Sequence, residues 1–178
     1  IKTAQIPYQV PAPEDLRVRI DGVLAVLYLV FNEGYFASGS EMPALRSELT
    51  TEAIRLTRLV RELLPDDAEV AGILALMLLS EARSPARITA KGELVRLDEQ
   101  DRGLWNRELI DEGLSLLDRL RGAVPGRYTL LAQINAVHAA AVDAELTDWQ
   151  RIVELYEQLE RVDPSPVVTL GKAVAIAE

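Results

Sequence analysis

Two polar clusters and one histidine are the places in this sequence where chemistry could sit. Asn32, Glu33 and Tyr35 follow a long apolar run and straddle Gly34. An amide, a carboxylate and a phenol so spaced would offer donors and acceptors to a ligand or to another helix. The plainer reading is C-terminal capping, with Gly34 as the left-handed stop and Tyr35 a core residue whose hydroxyl reaches the edge. Asp98, Glu99, Gln100 and Asp101 carry enough oxygen for Mg²⁺ or Ca²⁺. They lack the glycine and distal glutamate of a calcium loop, so helix capping and pairing with Arg83, Arg87 or Arg102 is the simpler role. On that reading Asp98, Gln100, Asp101, Arg102 and Trp105 pin an inserted segment onto the rest of the fold. His138, the one histidine, lies among Ala and Val with no Cys, second His or nucleophile beside it, and reads as a packing residue. Trp105 and Trp149 read as core anchors; either becomes a partner hot spot if half exposed on a concave face.

The motifs that would turn such residues into an active site are missing. There is no Walker loop, no Gly-x-Gly-x-x-Gly, no His-Glu-x-x-His, no Gly-x-Ser-x-Gly and no cysteine nucleophile. The expectation is therefore a protein that is not an enzyme and has no catalytic residues, cofactor or metal. A net charge of −9 argues against direct binding of a phosphate backbone. It suits a basic partner, or serves solubility alone. With no Cys there is no disulfide and no thiolate site, which fits a cytoplasmic protein. The longest uncharged apolar runs, Val23–Phe31 and Ala71–Leu79, have nine residues each, about half of a membrane span. No membrane partner is expected, and no signal peptide is visible at the start.

The elements that must position these residues form a repeat. Helix, proline-marked turn, helix recurs three times, around Pro65, Pro125 and Pro164. Pro125 and Pro164 are 39 residues apart, near the ~34-residue tetratricopeptide period. Pro65 and Pro125 are 60 apart, which implies an insertion, placed at 84–104. In the third block Trp149, Ile152, Tyr156 and Leu159 fall at tetratricopeptide packing positions with Pro164 as the closing proline; Thr57 and Leu117 replace the aromatic in the other two. The chain of 178 residues, 49% hydrophobic, can bury a full core as one domain at 14–178 after a proline-rich linker at 1–13.

The expected architecture is all-α, a tetratricopeptide-like helical array (α-solenoid). Its first helix runs from after Pro13 to about Phe36, with Leu16, Ile20, Val23, Leu24, Leu27, Tyr28 and Phe31 on one face. Gly39 and Pro43 bound a turn, and a helix from Ala44 to Leu64 carries a stripe of Leu56, Leu59, Val60 and Leu63. A helix at 67–82 is apolar almost all round and should be central. Within the insertion, Arg87-Ile88-Thr89, a Lys91-Gly92 turn and Glu93–Leu97 suggest a small β-hairpin. Four more helices are expected at about 105–121, 127–142, 147–162 and 167–177. A start on Ile and an end on Glu178 without a polar capping helix suggest a domain cut from a longer protein.

Taken together, Val26–Tyr35, Glu52–Leu56, Leu63–Asp66, Ala75–Leu79, Ala86–Arg87, Gly92–Val95, Leu97–Trp105, Ala136–Ala139, Thr147–Trp149 and Pro164–Val168 carry a specific likeness. They resemble the C-terminal extension of a group of bacterial extracytoplasmic-function RNA polymerase sigma factors of the sigma-70 family. The opening Ile1–Tyr8 resembles the stretch just after that family's last recognition helix. The resemblance implies that promoter-specific transcription initiation belongs to the parent protein, whose two sigma domains are absent here and would make any DNA contact. It implies a tetratricopeptide-like module that governs sigma activity through its own sigma domains, core RNA polymerase or a regulator protein. The alternative from a different class is a small-molecule or metal sensor, in which Asn32, Glu33, Tyr35 and the acidic insertion line a pocket.

Overall fold

The structure, a computed structural model, describes residues 13–36, 43–89 and 93–178, with 13–16, 18, 36 and 43–46 described by their backbone alone. Seven α-helices lie among the described residues: α1 (Pro13–Phe36), α2 (Pro43–Leu63), α3 (Ala68–Glu81), α4 (Arg107–Arg119), α5 (Arg127–Ala140), α6 (Trp149–Val162) and α7 (Pro166–Ala177). The three proline-marked blocks correspond to the helix pairs α2/α3, α4/α5 and α6/α7, the members of each in contact. Packing runs along the chain, α1 on α2, α2 on α3, α3 on α4 and α5, α5 on α6 and α6 on α7, in the manner of a helical solenoid.

Local sequence explains where the helices start. Asp67 accepts from the Glu69 and Val70 amides at 2.9 and 3.1 Å, Asn106 from Leu109, Asp148 from Arg151 and Ser165 from Val168. Each side chain satisfies donors that a first helical turn leaves free. Gly126, at the head of α5, has no side chain to do this. Its place is taken by Glu69 of α3, whose carboxylate accepts from the Tyr128 and Thr129 amides at 2.8 and 3.1 Å and from the Thr129 hydroxyl at 2.6 Å. The two helices approach so closely that a Cβ on Gly72 would lie 2.7 Å from the Thr129 amide nitrogen.

Burial follows the patterning. Every residue from Val70 to Ser80 is buried, which makes α3 the centre of the array. At roughly 1.5–3 kcal/mol for each large side chain removed from water, this one helix is a main source of cohesion. Leu24, Phe31, Ile73 and Met77 share one apolar cluster; Leu130, Ile134, Ile152, Leu155, Leu159 and Val168 form a second between α5, α6 and α7. A third, Leu79, Ala82, Ala86, Trp105, Ile110 and Ala139, seats the insertion.

Several expectations need correction. The β-hairpin is not formed: no strand occurs among the described residues, and what remains is one antiparallel bridge between Ile88 and Leu94. Thr89 donates to Glu93 at 2.9 Å and Val95 to Arg87 at 2.8 Å, but Ile88 and Leu94 are exposed. A two-stranded ribbon without an apolar layer to cover is not stable by itself, and the chain turns into a 3₁₀ helix at Leu97–Glu99. The Lys91-Gly92 turn and the Gly39 turn lie outside the described residues, as does nearly all of the 1–13 linker. Gly34 is not a stop, because α1 continues through it to Phe36; the left-handed glycine among the described residues is Gly122, at φ 91°.

Helix α2 turns a different face inward from the one its leucines suggest. Thr50, Ala53, Ile54 and Thr57 are buried, Leu56 and Val60 pack at the margin, and Leu59 and Leu63 are exposed. Thr57 can be buried because its hydroxyl donates to the Ala53 carbonyl at 2.7 Å. Trp105 lies outside α4, directly after a further 3₁₀ turn, Arg102–Leu104, and Asn106 starts the helix.

Candidate functional site

The insertion is held to the array by Arg102 and Trp105. Trp105 is buried among Leu79, Ala82, Ile110 and Ala139. Arg102 lies over its ring, 4.6 Å from the centroid, and reaches the end of α5, where Nη1 donates to the carbonyls of His138 at 2.6 Å and Ala141 at 2.9 Å. A guanidinium there satisfies carbonyls that the helix leaves open and opposes the negative end of its dipole.

That docking creates a cleft of about 850 Å³ between the insertion, the end of α5 and the last helix pair. One wall is Trp149, Ile152 and Tyr156 of α6; the other is Val167, Leu170 and Val174 of α7. The α5 end contributes His138, whose ring meets Trp149 edge-on with centroids 5.3 Å apart. Arg96, Asp98 and Arg102 bring charge from the insertion. Gly171 gives the Tyr156 ring its place, since a Cβ there would fall 2.6 Å from the phenol oxygen. Burial raises the Tyr156 pKa above its usual value. Burial, then the positive charges of Arg83 and Arg102, push His138 down to about 4, so its imidazole is neutral at pH 7.

Charge on the insertion side is unevenly compensated. Arg96 and Asp98 face each other through two contacts at 3.1 and 3.2 Å. Arg102 has carbonyl partners, and Arg83 donates to the Asn135 side-chain oxygen at 2.9 Å while its Nε is buried without a partner. No carboxylate among the described residues forms an ion pair with Arg83 or Arg102.

Of the residues singled out in the sequence, Asp98, Arg102, His138 and Trp149 therefore meet at one cleft. The others do not. Asn32 is half-buried and Glu33 exposed, both on α1 and away from the cleft lining. Tyr35 stacks on Phe31 with centroids 5.4 Å apart and lies under the Arg87 guanidinium, which also donates to its carbonyl at 2.7 Å. This contact ties the end of α1 to the start of the insertion. Gln100 donates to the Val95 carbonyl at 3.2 Å, and Asp101 caps the Gly103 amide at 2.8 Å. Both shape the insertion internally, so the pinning assigned to five residues is carried by Arg102 and Trp105. Among the described residues no three His, Asp or Glu side chains converge to hold a metal.

Leu170 and Val174 were not foreseen as part of this region. A signal for both exists: in Pro166–Ala177 only Lys172 is charged, too apolar a composition for a helix with one face in water. No helix among the described residues is long and apolar enough to cross a membrane.

Residues 19–121 match a family described as a family of unknown function, DUF6596. An uncharacterized protein of Rhizobium meliloti (strain 1021) is 45% identical over 180 residues, an alignment that takes in 100% of this chain and 42% of that protein. The chain thus spans less than half the length of this relative. No solved structure matches the chain.

Proposed function

The chain belongs to the DUF6596 family, and from that premise we propose that it is the regulatory and protein-interaction module at the C-terminus of an extracytoplasmic-function RNA polymerase sigma factor. The sigma-factor assignment rests on the likeness carried by Val26–Tyr35, Leu97–Trp105 and the shorter matches between and after them. The length of the Rhizobium relative, of which this chain covers 42%, leaves space in that protein for further domains. The parent initiates transcription at specific promoters in the cytoplasm, and its sigma domains make the DNA contacts. This module, a tetratricopeptide-like array, acts by binding its own sigma domains, core RNA polymerase or a regulator protein, not by turnover.

The observation that carries the binding role is the exposed apolar surface of α7. Val167, Leu170 and Val174, each more than half exposed, lie on its cleft face beside the half-buried Trp149, and Ile176, also more than half exposed, lies on the opposite face. Exposed apolar patches with aromatic neighbours mark contact surfaces. The test is binding in trans: the purified module is titrated against the sigma domains and against core polymerase. Association that is lost on Val167→Asp or Ile176→Asp supports the reading, and no association with either overturns it.

The cleft favours a second reading, a small-molecule sensor that controls the sigma factor. Asn32, Glu33 and Tyr35 have no part in it. The site moves to Trp149, Tyr156, His138 and Arg102. A ligand that binds only the folded array raises its melting temperature.

A further inference from the structure

We propose that the cleft between the insertion and the α6/α7 pair binds an uncharged, fused-ring aromatic molecule, its flat body on Trp149, Tyr156, Leu170 and Val174 and a hydrogen-bonding edge at His138 and Thr147. The inference rests on the second reading above, that the cleft holds a small molecule, and not on the sigma-factor assignment. A volume of about 850 Å³ lined mainly by aromatic and aliphatic side chains has the size and composition of a small-molecule site.

The charges of the lining give an ionic head no advantage. Arg96 and Asp98 pair with each other. Arg102 is engaged by the carbonyls of His138 and Ala141. Glu145 and Glu178 complete the charged lining, and both are exposed to water. Both signs are mixed there, and each group is paired, bonded to carbonyls or hydrated. Neither an anion nor a cation finds an unmatched partner, while entry into an apolar cavity costs either of them its hydration.

The polar groups that remain are neutral. Thr147, Tyr156 and His138 line the cleft, and none of their side chains is hydrogen-bonded to a described residue. None of their polar atoms is sealed from solvent, so a hydroxyl, a phenol and an imidazole stay open to a ligand. Burial and the nearby arginines keep that imidazole unprotonated at pH 7, with one donor and one acceptor to offer. Its ring meets Trp149 edge-on at 5.3 Å, which sets the hydrogen-bonding groups beside an aromatic surface. A flat ring system with a hydroxyl or carbonyl on its edge satisfies both.

The probes are 2-naphthol, 2-naphthoate and 2-naphthylmethylamine, alike in shape and neutral, negative and positive at pH 7, titrated into the untagged chain by calorimetry. His138 is the single histidine, so its ring resonances report the location without assignment. 2-Naphthol is expected to bind saturably, to shift the His138 resonances and to bind at least about tenfold more tightly than either ion. Leu170→Asp, at a position 66% exposed, leaves the fold intact and sets a carboxylate where the ring would lie. It is expected to weaken 2-naphthol binding by about tenfold or more. The double variant His138→Phe, Thr147→Val keeps the shape of the lining and removes the hydrogen-bonding edge, and is expected to weaken binding several-fold. Binding of an ion as tight as that of 2-naphthol, binding that leaves the His138 resonances in place, or 2-naphthol affinity unchanged in either variant overturns the proposal while the small-molecule reading stands. No saturable binding by any of these probes overturns the proposal and that reading together.

Discussion

Glu69 on α3 caps α5 through Thr129, accepting its amide at 3.1 Å and its hydroxyl at 2.6 Å. A helix whose own N-cap is Gly126 is thus started by its neighbour, and its formation depends on the packing of α3 against it. Glu69→Gln keeps one acceptor but turns an amino group toward donors. The expected loss is about 1–2 kcal/mol in urea unfolding, on the scale of a charge-assisted cap. A change below a few tenths would show that the α5 N-terminus is satisfied in another way.

Gly72→Ala tests how closely these helices meet. Alanine gains ~1 kcal/mol of helix propensity, yet its Cβ would lie 2.7 Å from the Thr129 amide nitrogen and 2.9 Å from its Cα. Backbone cannot rotate aside as a side chain can, so overpacking at about 1–3 kcal/mol prevails. Net destabilisation by thermal melting is the expected result, and a stabilised variant would mean a looser α3–α5 contact.

The pH dependence of stability should carry the mark of His138. Its pKa falls from an ordinary 6.5 to about 4 on folding, so the unfolded chain binds more protons between these values. Its contribution is therefore fully present above pH 6.5 and is lost as pH falls toward 4, up to about 3 kcal/mol by linkage. His138→Gln is expected to flatten the unfolding free energy between pH 7 and pH 4.5 relative to the unmodified chain. Parallel curves for the two proteins would contradict the buried, neutral imidazole.

Trp105 sets the position of the insertion. Trp105→Ala removes the centre of its apolar cluster and the surface under Arg102. The expected cost is about 3–5 kcal/mol. Hydrogen exchange should show the 84–104 segment losing protection before α3 does, whereas uniform loss would show the insertion to be an integral part of the central core.

How much of this could be read in advance depends on how local the cause is. The helix pairs were legible because Pro65, Pro125 and Pro164 punctuate strongly periodic runs, and the central place of α3 because Val70–Leu79 has no polar face. The inward face of α2 was not legible: Leu59 and Leu63 outrank Thr50 and Thr57 in hydrophobicity, and only tertiary packing with an internal hydroxyl bond reverses the order. The hairpin failed for a similar reason, since alternation at 87–97 says nothing of whether another layer lies beneath. Of the site, Arg102, His138 and Trp149 drew notice as unusual residues, but their meeting needs the insertion to fold back on α5. Tyr35 drew notice too, yet its partner Arg87 is 52 residues away, beyond any periodic signal.

Run-off transcription with core polymerase tests the proposed sigma-factor role most directly, comparing the intact parent protein with a version stopped near Val10 of this numbering and then adding this chain back in trans. A regulatory module predicts that truncation changes transcript yield several-fold and that the added chain moves the yield back toward that of the intact protein. Equal yields from intact and truncated proteins, unaffected by the added chain, would contradict it.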